Sequence, residues 1–231
     1  MNSWIKRLMY YGIGFGVGLL FVFFFFENRG CSWMPSNRVK NAILDRLIVV
    51  SEKTEDLMSQ KGVDVNDVLL ALSDGDIDFI NSRKDIHPKS YVINRNSVSF
   101  VFTLPHESFI SEVFLKDKTD NICNSKKGFG TIIHYPNDDN LLYIDSNQYI
   151  NCQKESIGLK NTNYIFDLIK SSGKIDFSQT NFNQTPKPKH HITFIKDKNE
   201  IGCTVIWYKN KLNIITFDSI FKLDCDSLLL N

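Results

Sequence analysis

The sequence has no pair of cysteines close enough to form a C-x-x-C motif, although it carries five: Cys31, Cys123, Cys152, Cys203 and Cys225. A zinc site needs clustered thiolates or imidazoles, so this spacing does not offer one. The odd count reads first as small buried or half-exposed thiols. A disulfide between distant members stays open if the region lies in an oxidising compartment. Charge of one sign is also missing. A net charge of +1 gives no global field toward nucleic acid or an acidic partner. Prolines are few, at 6, while aromatics reach 13%, a globular balance. The 231 residues leave room for one large domain or two small ones.

Long hydrophobic runs are absent except for one. Met9–Phe26 is an uncharged apolar stretch of 18 residues, near the lower end of the ~17–25 needed to cross a hydrocarbon core. It ends in four phenylalanines with no small-residue cleavage pattern behind it, which favours an uncleaved signal anchor over a processed signal peptide. Lys6 and Arg7 favour a cytoplasmic N-terminus, while Arg29, Arg38 and Lys40 on the other side weaken that bias. The reading is a single-pass membrane protein with its soluble region in the periplasm. Trp4, Tyr10, Tyr11 and Trp33 suit the two interfaces. Gly12, Gly14, Gly16 and Gly18 alternate through the first half of the span. The pairs Gly12/Gly16 and Gly14/Gly18 would let a second helix approach closely, although glycine is also simply common in membrane helices.

Behind the run, a pattern repeats. Ser73-Asp-Gly-Asp-Ile-Asp-Phe79 matches Ser171-Ser-Gly-Lys-Ile-Asp-Phe177 at an offset of 98 residues. A helical pattern precedes each copy: Val65–Leu72 in the first, Thr162–Ile169 in the second. His87–Ile93 and Pro186–Ile192 follow, and each is succeeded by two apolar runs.

Within the first copy, Leu47–Val50 reads as a short strand. Ser51 is a candidate cap for a helix to Gln60, with Gly62 as its stop. Asp64 caps a second helix whose Val65, Val68, Leu69 and Leu72 share one face. Gly75 is expected to end that helix through a positive φ. Ile77 and Phe79 alternate with aspartates on a strand with one wet face. Tyr91–Ile93, Val98–Phe102 and Phe109–Phe114 add three more strands.

The expected fold is α+β: an N-terminal transmembrane helix, then two tandem small domains, each with two helices on a four-stranded, mainly antiparallel sheet. The boundaries are an anchor at 1–30 (span about 9–26), a first module at 31–117, a linker at 118–130, a second module at 131–218 and a tail at 219–231.

The order of helix, Gly-ended turn, strand, Pro-x-x-Tyr and paired strands in the first copy resembles the domain-of-unknown-function family 4258. The anchor followed by Cys31-Ser-Trp-Met-Pro-Ser-Asn-Arg-Val-Lys-Asn41 is similar to membrane-anchored members from Bacteroidota. The resemblance covers residues 1 to about 115, implies a fold similar to RelE-like ribonuclease toxins for the small domain behind the anchor, and reaches the second copy only through the repeat.

An RNase needs basic groups for phosphate and an acid/base near the scissile bond. Residues 51–93 hold five Lys/Arg against nine Asp/Glu; residues 151–217 hold ten against five. Only Lys187, Lys189, His190 and His191 cluster in a way that could hold an anion, and a solvated loop running into a strand is the plainer reading of them. On a strand His190 and His191 would face opposite sides and could not share a metal. No catalytic residue, metal ligand or cofactor is expected, so the reading leans away from an enzyme. It favours a membrane-anchored, envelope-facing, non-catalytic interaction module. Its partners would be the bilayer and a protein, or a second copy through the anchor. Nucleic acid is not expected as a partner; the alternative is a membrane-tethered ribonuclease relative acting on RNA through the basic second module.

Overall fold

The computed structural model describes residues 3–27, 34–116, 123–137, 140–182, 184, 186–208, 210–218 and 225. Arg29, Cys31, Trp33, the first part of the expected linker (118–122) and the tail apart from Cys225 lie outside the described residues. The chain divides into two compact units, Met1–Val39 and Lys40–Asn231.

In the first unit, helix α1 runs Ser3–Glu27, about 37 Å at 1.5 Å per residue. Its window Ser3–Phe23 has a mean hydropathy of 1.3 and none of it is buried. The helix is long and apolar enough to span a membrane or to act as a signal sequence. It starts six residues before the apolar run and so takes in Lys6 and Arg7. A Cβ placed on Gly12, Gly14, Gly16 or Gly18 would meet nothing within 4 Å.

Helix α2 (Pro35–Leu44) leads into the second unit. There follow β1 (Leu47–Ser51), α3 (Glu52–Gln60), α4 (Val65–Asp74), β2 (Asp76–Arg83), β3 (Lys89–Arg95), β4 (Val98–Leu104) and β5 (Ile110–Leu115). Next come β6 (Phe129–His134), β7 (Leu142–Ile144), α5 (Gln148–Ser156), α6 (Thr162–Ser172), β8 (Lys174–Asp176), β9 (Lys189–Lys196), β10 (Asn199–Tyr208) and β11 (Lys211–Phe217).

Local chemistry explains the helices. Asp64 and Asp67 form a capping box, with the Asp67 N–H donating to Asp64 Oδ1 at 2.9 Å and the Asp64 N–H donating to Asp67 Oδ2 at 3.1 Å. Asn147 and Asn161 cap α5 and α6 through one bond each, their side-chain oxygens accepting the Ile150 and Tyr164 N–H groups. Val68, Ala71 and Leu72 form the buried face of α4. Gly62 stops α3 with φ +65, as its position predicts. Gly75 ends α4 for a different reason. Its φ is −71, and a Cβ there would lie 2.5 Å from the Ala71 carbonyl oxygen and 2.8 Å from Ile93 Cγ2. The glycine is required by close approach, not by a left-handed backbone.

The eleven strands of the described residues form one sheet in the order β2-β3-β4-β5-β1-β6-β8-β9-β10-β11-β7. Two separate four-stranded sheets were the expectation, and two features overturn it. Each half has five strands, because β1 pairs parallel with β5 and β7 pairs parallel with β11. In addition, β6 lies antiparallel to both β1 and β8 and fuses the halves.

The halves trace the same path. The order β2-β3-β4-β5-β1 is repeated as β8-β9-β10-β11-β7. Helix α3 packs on β5 and α4 on β3; α5 packs on β11 and α6 on β9. Ile77 faces Ile93 across the first strand pair, and Ile175 faces Ile192 across the matching one. The C-cap glycines Gly75 and Gly173 also match: a Cβ on Gly173 would lie 2.4 Å from the Ile169 carbonyl oxygen.

The apolar core crosses the junction. Leu47, Val49, Phe109 and Ile110 of the first half share one buried cluster with Ile175, Phe177, Ile192 and Phe194 of the second. Gly130 in β6 makes this possible, since a Cβ there would come within 2.5 Å of Val49 Cγ1 and 2.6 Å of Phe177 Cζ.

Candidate functional site

The turn between β10 and β11 is tight: Trp207 pairs with Leu212 and Tyr208 with Lys211. Asn210 sits in it at φ +61, a conformation that asparagine tolerates better than most residues. The turn carries Trp207 to the junction of the halves. There its ring stacks on Phe109 at 5.0 Å with an interplanar angle of 25°. Phe109 presents its edge to His190 at 4.8 Å.

Two adjoining clefts open around Trp207, of about 470 Å3 and about 330 Å3. Asp45, Trp207 and Asn210 border both. The larger is walled by Leu44, Pro136 and Leu141 and edged by His134 and Asn137. The smaller is bounded by Arg46, His106, Glu107 and Phe109. Volumes of this size fall in the range of small-molecule and side-chain pockets, ~300–1,000 Å3.

The polar groups of the cleft are partly committed. Arg46 donates to the Pro105 carbonyl at 3.0 Å and to the Ser108 carbonyl. Burial pulls its pKa below the ordinary value, with the neighbouring Asp45 charge opposing. His134 Nε2–H donates to the Leu44 carbonyl at 3.0 Å, which fixes the tautomer because a carbonyl can only accept. His106 Nδ1 lies 2.7 Å from Glu107 Oε1. The carboxylate of Asp45, an exposed residue, makes no hydrogen bond among the described residues.

Behind the cleft wall, Ser108 Oγ lies 3.2 Å from His190 Nε2. A serine beside an imidazole invites a nucleophile–base reading. The surroundings do not favour it. Burial pushes His190 down to about 3, so it is a weak base at neutral pH, and its Nδ1 has no orienting partner. Ser108 Oγ also accepts the Ile110 N–H at 3.0 Å. The pair works as a tie between the halves.

The four residues proposed from sequence for an anion have different surroundings. The Lys187 ammonium sits 4.0 Å from the Tyr208 ring centroid. Lys189 is exposed at the start of β9. His190 is fully buried, wedged between Phe109 and Phe182. His191, on the other face of the strand, lies 2.8 Å from Asp218 Oδ2. That hydrogen bond raises the His191 pKa against the opposing effect of burial; the charges of Asp218, Asp176 and Glu200 add to it. Among the described residues no group of three or more His, Cys, Asp or Glu could hold a metal ion.

Two further arrangements were not expected from the sequence, and a third is a disulfide between distant cysteines, which the sequence left open. Glu112 is completely buried on β5. It accepts the Ser125 N–H at 2.7 Å and the Ser125 Oγ–H at 2.5 Å. Burial still raises it to about 7, with those hydrogen bonds opposing. Gln153 on α5 receives the Phe217 N–H at 3.2 Å and donates to the Phe217 carbonyl at 2.8 Å. Cys152 is bonded to Cys225, with Cα atoms 5.8 Å apart and a sequence separation of 73. The only sequence signal for the cleft was Trp207, the single tryptophan after residue 33.

Compared with protein-family models, curated proteins and solved structures, the chain finds no match in any of the three.

Proposed function

We propose that residues 40–231 are a tandem duplication of one α+β unit, held on the periplasmic side of a membrane by α1. On this reading the protein is a non-catalytic binding module whose working surface is the Trp207 cleft. The observation that carries the reading is the cleft itself. It lies where the two halves meet, and it combines an aromatic floor with a carboxylate free to receive a ligand. The duplication is supported by the matched strand order and by the paired glycines Gly75 and Gly173. The location is supported by the Cys152–Cys225 bond, because such bonds persist in oxidising compartments. Lys6 and Arg7 before the apolar stretch agree with a cytoplasmic N-terminus. The glycine-lined face of α1 suits self-association or a second membrane helix. The likeness of the first half to domain-of-unknown-function family 4258 belongs to the same proposal.

The test is topology. A C-terminal reporter active only outside the cytoplasm should give signal, and Cys152 and Cys225 should resist alkylation until reduced. A cytoplasmic reporter signal with freely alkylated cysteines would overturn the placement. The excess of Lys/Arg over Asp/Glu in residues 151–217 favours a second reading, a tethered ribonuclease relative. Phosphate contacts are strongest at low salt, so absence of RNA binding there would remove it.

A further inference from the structure

We infer that the larger Trp207 cleft binds an alkylammonium or guanidinium group. The inference rests on the binding-module reading and names the ligand chemistry of that site. The cleft has two kinds of wall. Leu44, Pro136 and Leu141 give an apolar surface for an aliphatic stem. The cationic head would meet Trp207 and Asp45, which border the same space. An indole attracts a cation through its ring quadrupole, and tryptophan does so best among the aromatics. Asp45 is the one formally charged side chain lining this cleft among the described residues, and nothing there hydrogen-bonds its carboxylate. Arg46 faces the adjoining cleft, and its guanidinium is taken up by two carbonyls. Among the described residues no lysine lines either space. An anionic ligand would meet the Asp45 carboxylate, and Arg46, the nearest cation among the described residues, is already committed to two carbonyls. A neutral apolar ligand would leave the Asp45 carboxylate without a partner and gain nothing from it. A long side chain that buries its stem and keeps a charged head at the rim satisfies both walls.

The group could come from a lysine or arginine of a partner protein or from a free amine. The test uses the full chain in detergent, with Trp4→Phe and Trp33→Phe, so that Trp207 is the sole indole. The probes are the blocked amino acids N-acetyl-lysine amide and N-acetyl-arginine amide, the free diamine cadaverine, and neutral N-acetyl-norleucine amide. We expect a saturable change in Trp207 emission with a cationic probe. It should weaken in high salt and be weakened about fivefold by Asp45→Asn, the upper size of one exposed ion pair. Binding of the blocked amino acids identifies a protein side chain as the source; binding of cadaverine alone identifies a free amine. Norleucine binding as well as lysine, an unchanged affinity in Asp45→Asn, or no saturable response to any cation would overturn the proposal. Asp45 is exposed and its carboxylate holds no hydrogen bond among the described residues, so the variant should keep the parent melting temperature. A failed titration leaves the topology result standing, and a cytoplasmic location leaves the titration standing.

Discussion

In the first half of the sheet the parallel pair β1–β5 carries a buried carboxylate, Glu112, opposite Val49. In the second half the matching pair β7–β11 carries Asn213 opposite Tyr143. The surroundings diverge in step. Glu112 gathers the chain after β5 by receiving both donors of Ser125. Asn213 gathers nothing: its buried Oδ1 has no partner. There the strand end is held by the Gln153 amide, and the following chain by the disulfide from Cys152 on the same helix. Asp56 occupies the corresponding position of α3. One path through space is thus closed once by a buried carboxylate and once by a helix-borne amide and a covalent bond. Topology constrains where a closing contact is needed, not which chemistry supplies it.

The largest test of that contrast is to remove the covalent closure. Cys152→Ser frees a loop spanning 73 residues, for which chain entropy gives about 4 kcal/mol. Urea unfolding should show that loss, and the same change at Asp56 should cost nothing comparable. Next is the junction. Gly130→Val would force a side chain against Val49 and Phe177 and should cost about 3 kcal/mol through overpacking. A single cooperative transition, retained at a lower melting temperature, would show that the halves unfold together; two transitions would break the comparison into independent units.

Glu112 gives the third test. Its folded pKa of about 7 lies above the ordinary 4.5, so the native state binds the extra proton. Its contribution is full below pH 4.5 and is lost as pH rises toward 7, up to about 3 kcal/mol. Stability should fall across that window, and Glu112→Gln should flatten the profile. His191 gives the smallest effect. Its pKa is raised by Asp218, so its stabilisation is complete below the unfolded value near 6.5 and disappears as pH climbs through the raised one. His191→Asn should remove a modest loss of melting temperature on the alkaline side of the Glu112 window.

Much of the local structure was legible in the sequence. The capping aspartate at 64, the α4 face, the Ile77–Phe79 strand, its shorter counterpart ending at Asp176 and the β-branched run at 47–50 all carry signals within a few residues. What escaped was pairing. Phe129–His134 is short and falls across the expected linker boundary, and nothing local announces that it will pair on both edges. Leu142–Ile144 is only three residues. Their partners lie far away in sequence, so their role depends on long-range register that no local window contains. The cleft escaped for the same reason. Asp45, His134 and Trp207 belong to three distant segments that meet only after β6 has joined the sheet.

β6 also changes what it means to divide this chain. A protease site inserted at 118–121 would sever the covalent link between the halves, yet β6 would still be paired to β1 on the other side of the cut. The two fragments should therefore remain one particle, held by backbone hydrogen bonds and the shared core. Expressed alone, the N-terminal fragment would present β1 as a bare, fully buried-type edge of Leu47–Ser51, the kind of surface that seeks another strand. Its partner's β6 is the strand that fits, so the severed protein carries its own instructions for reassembly.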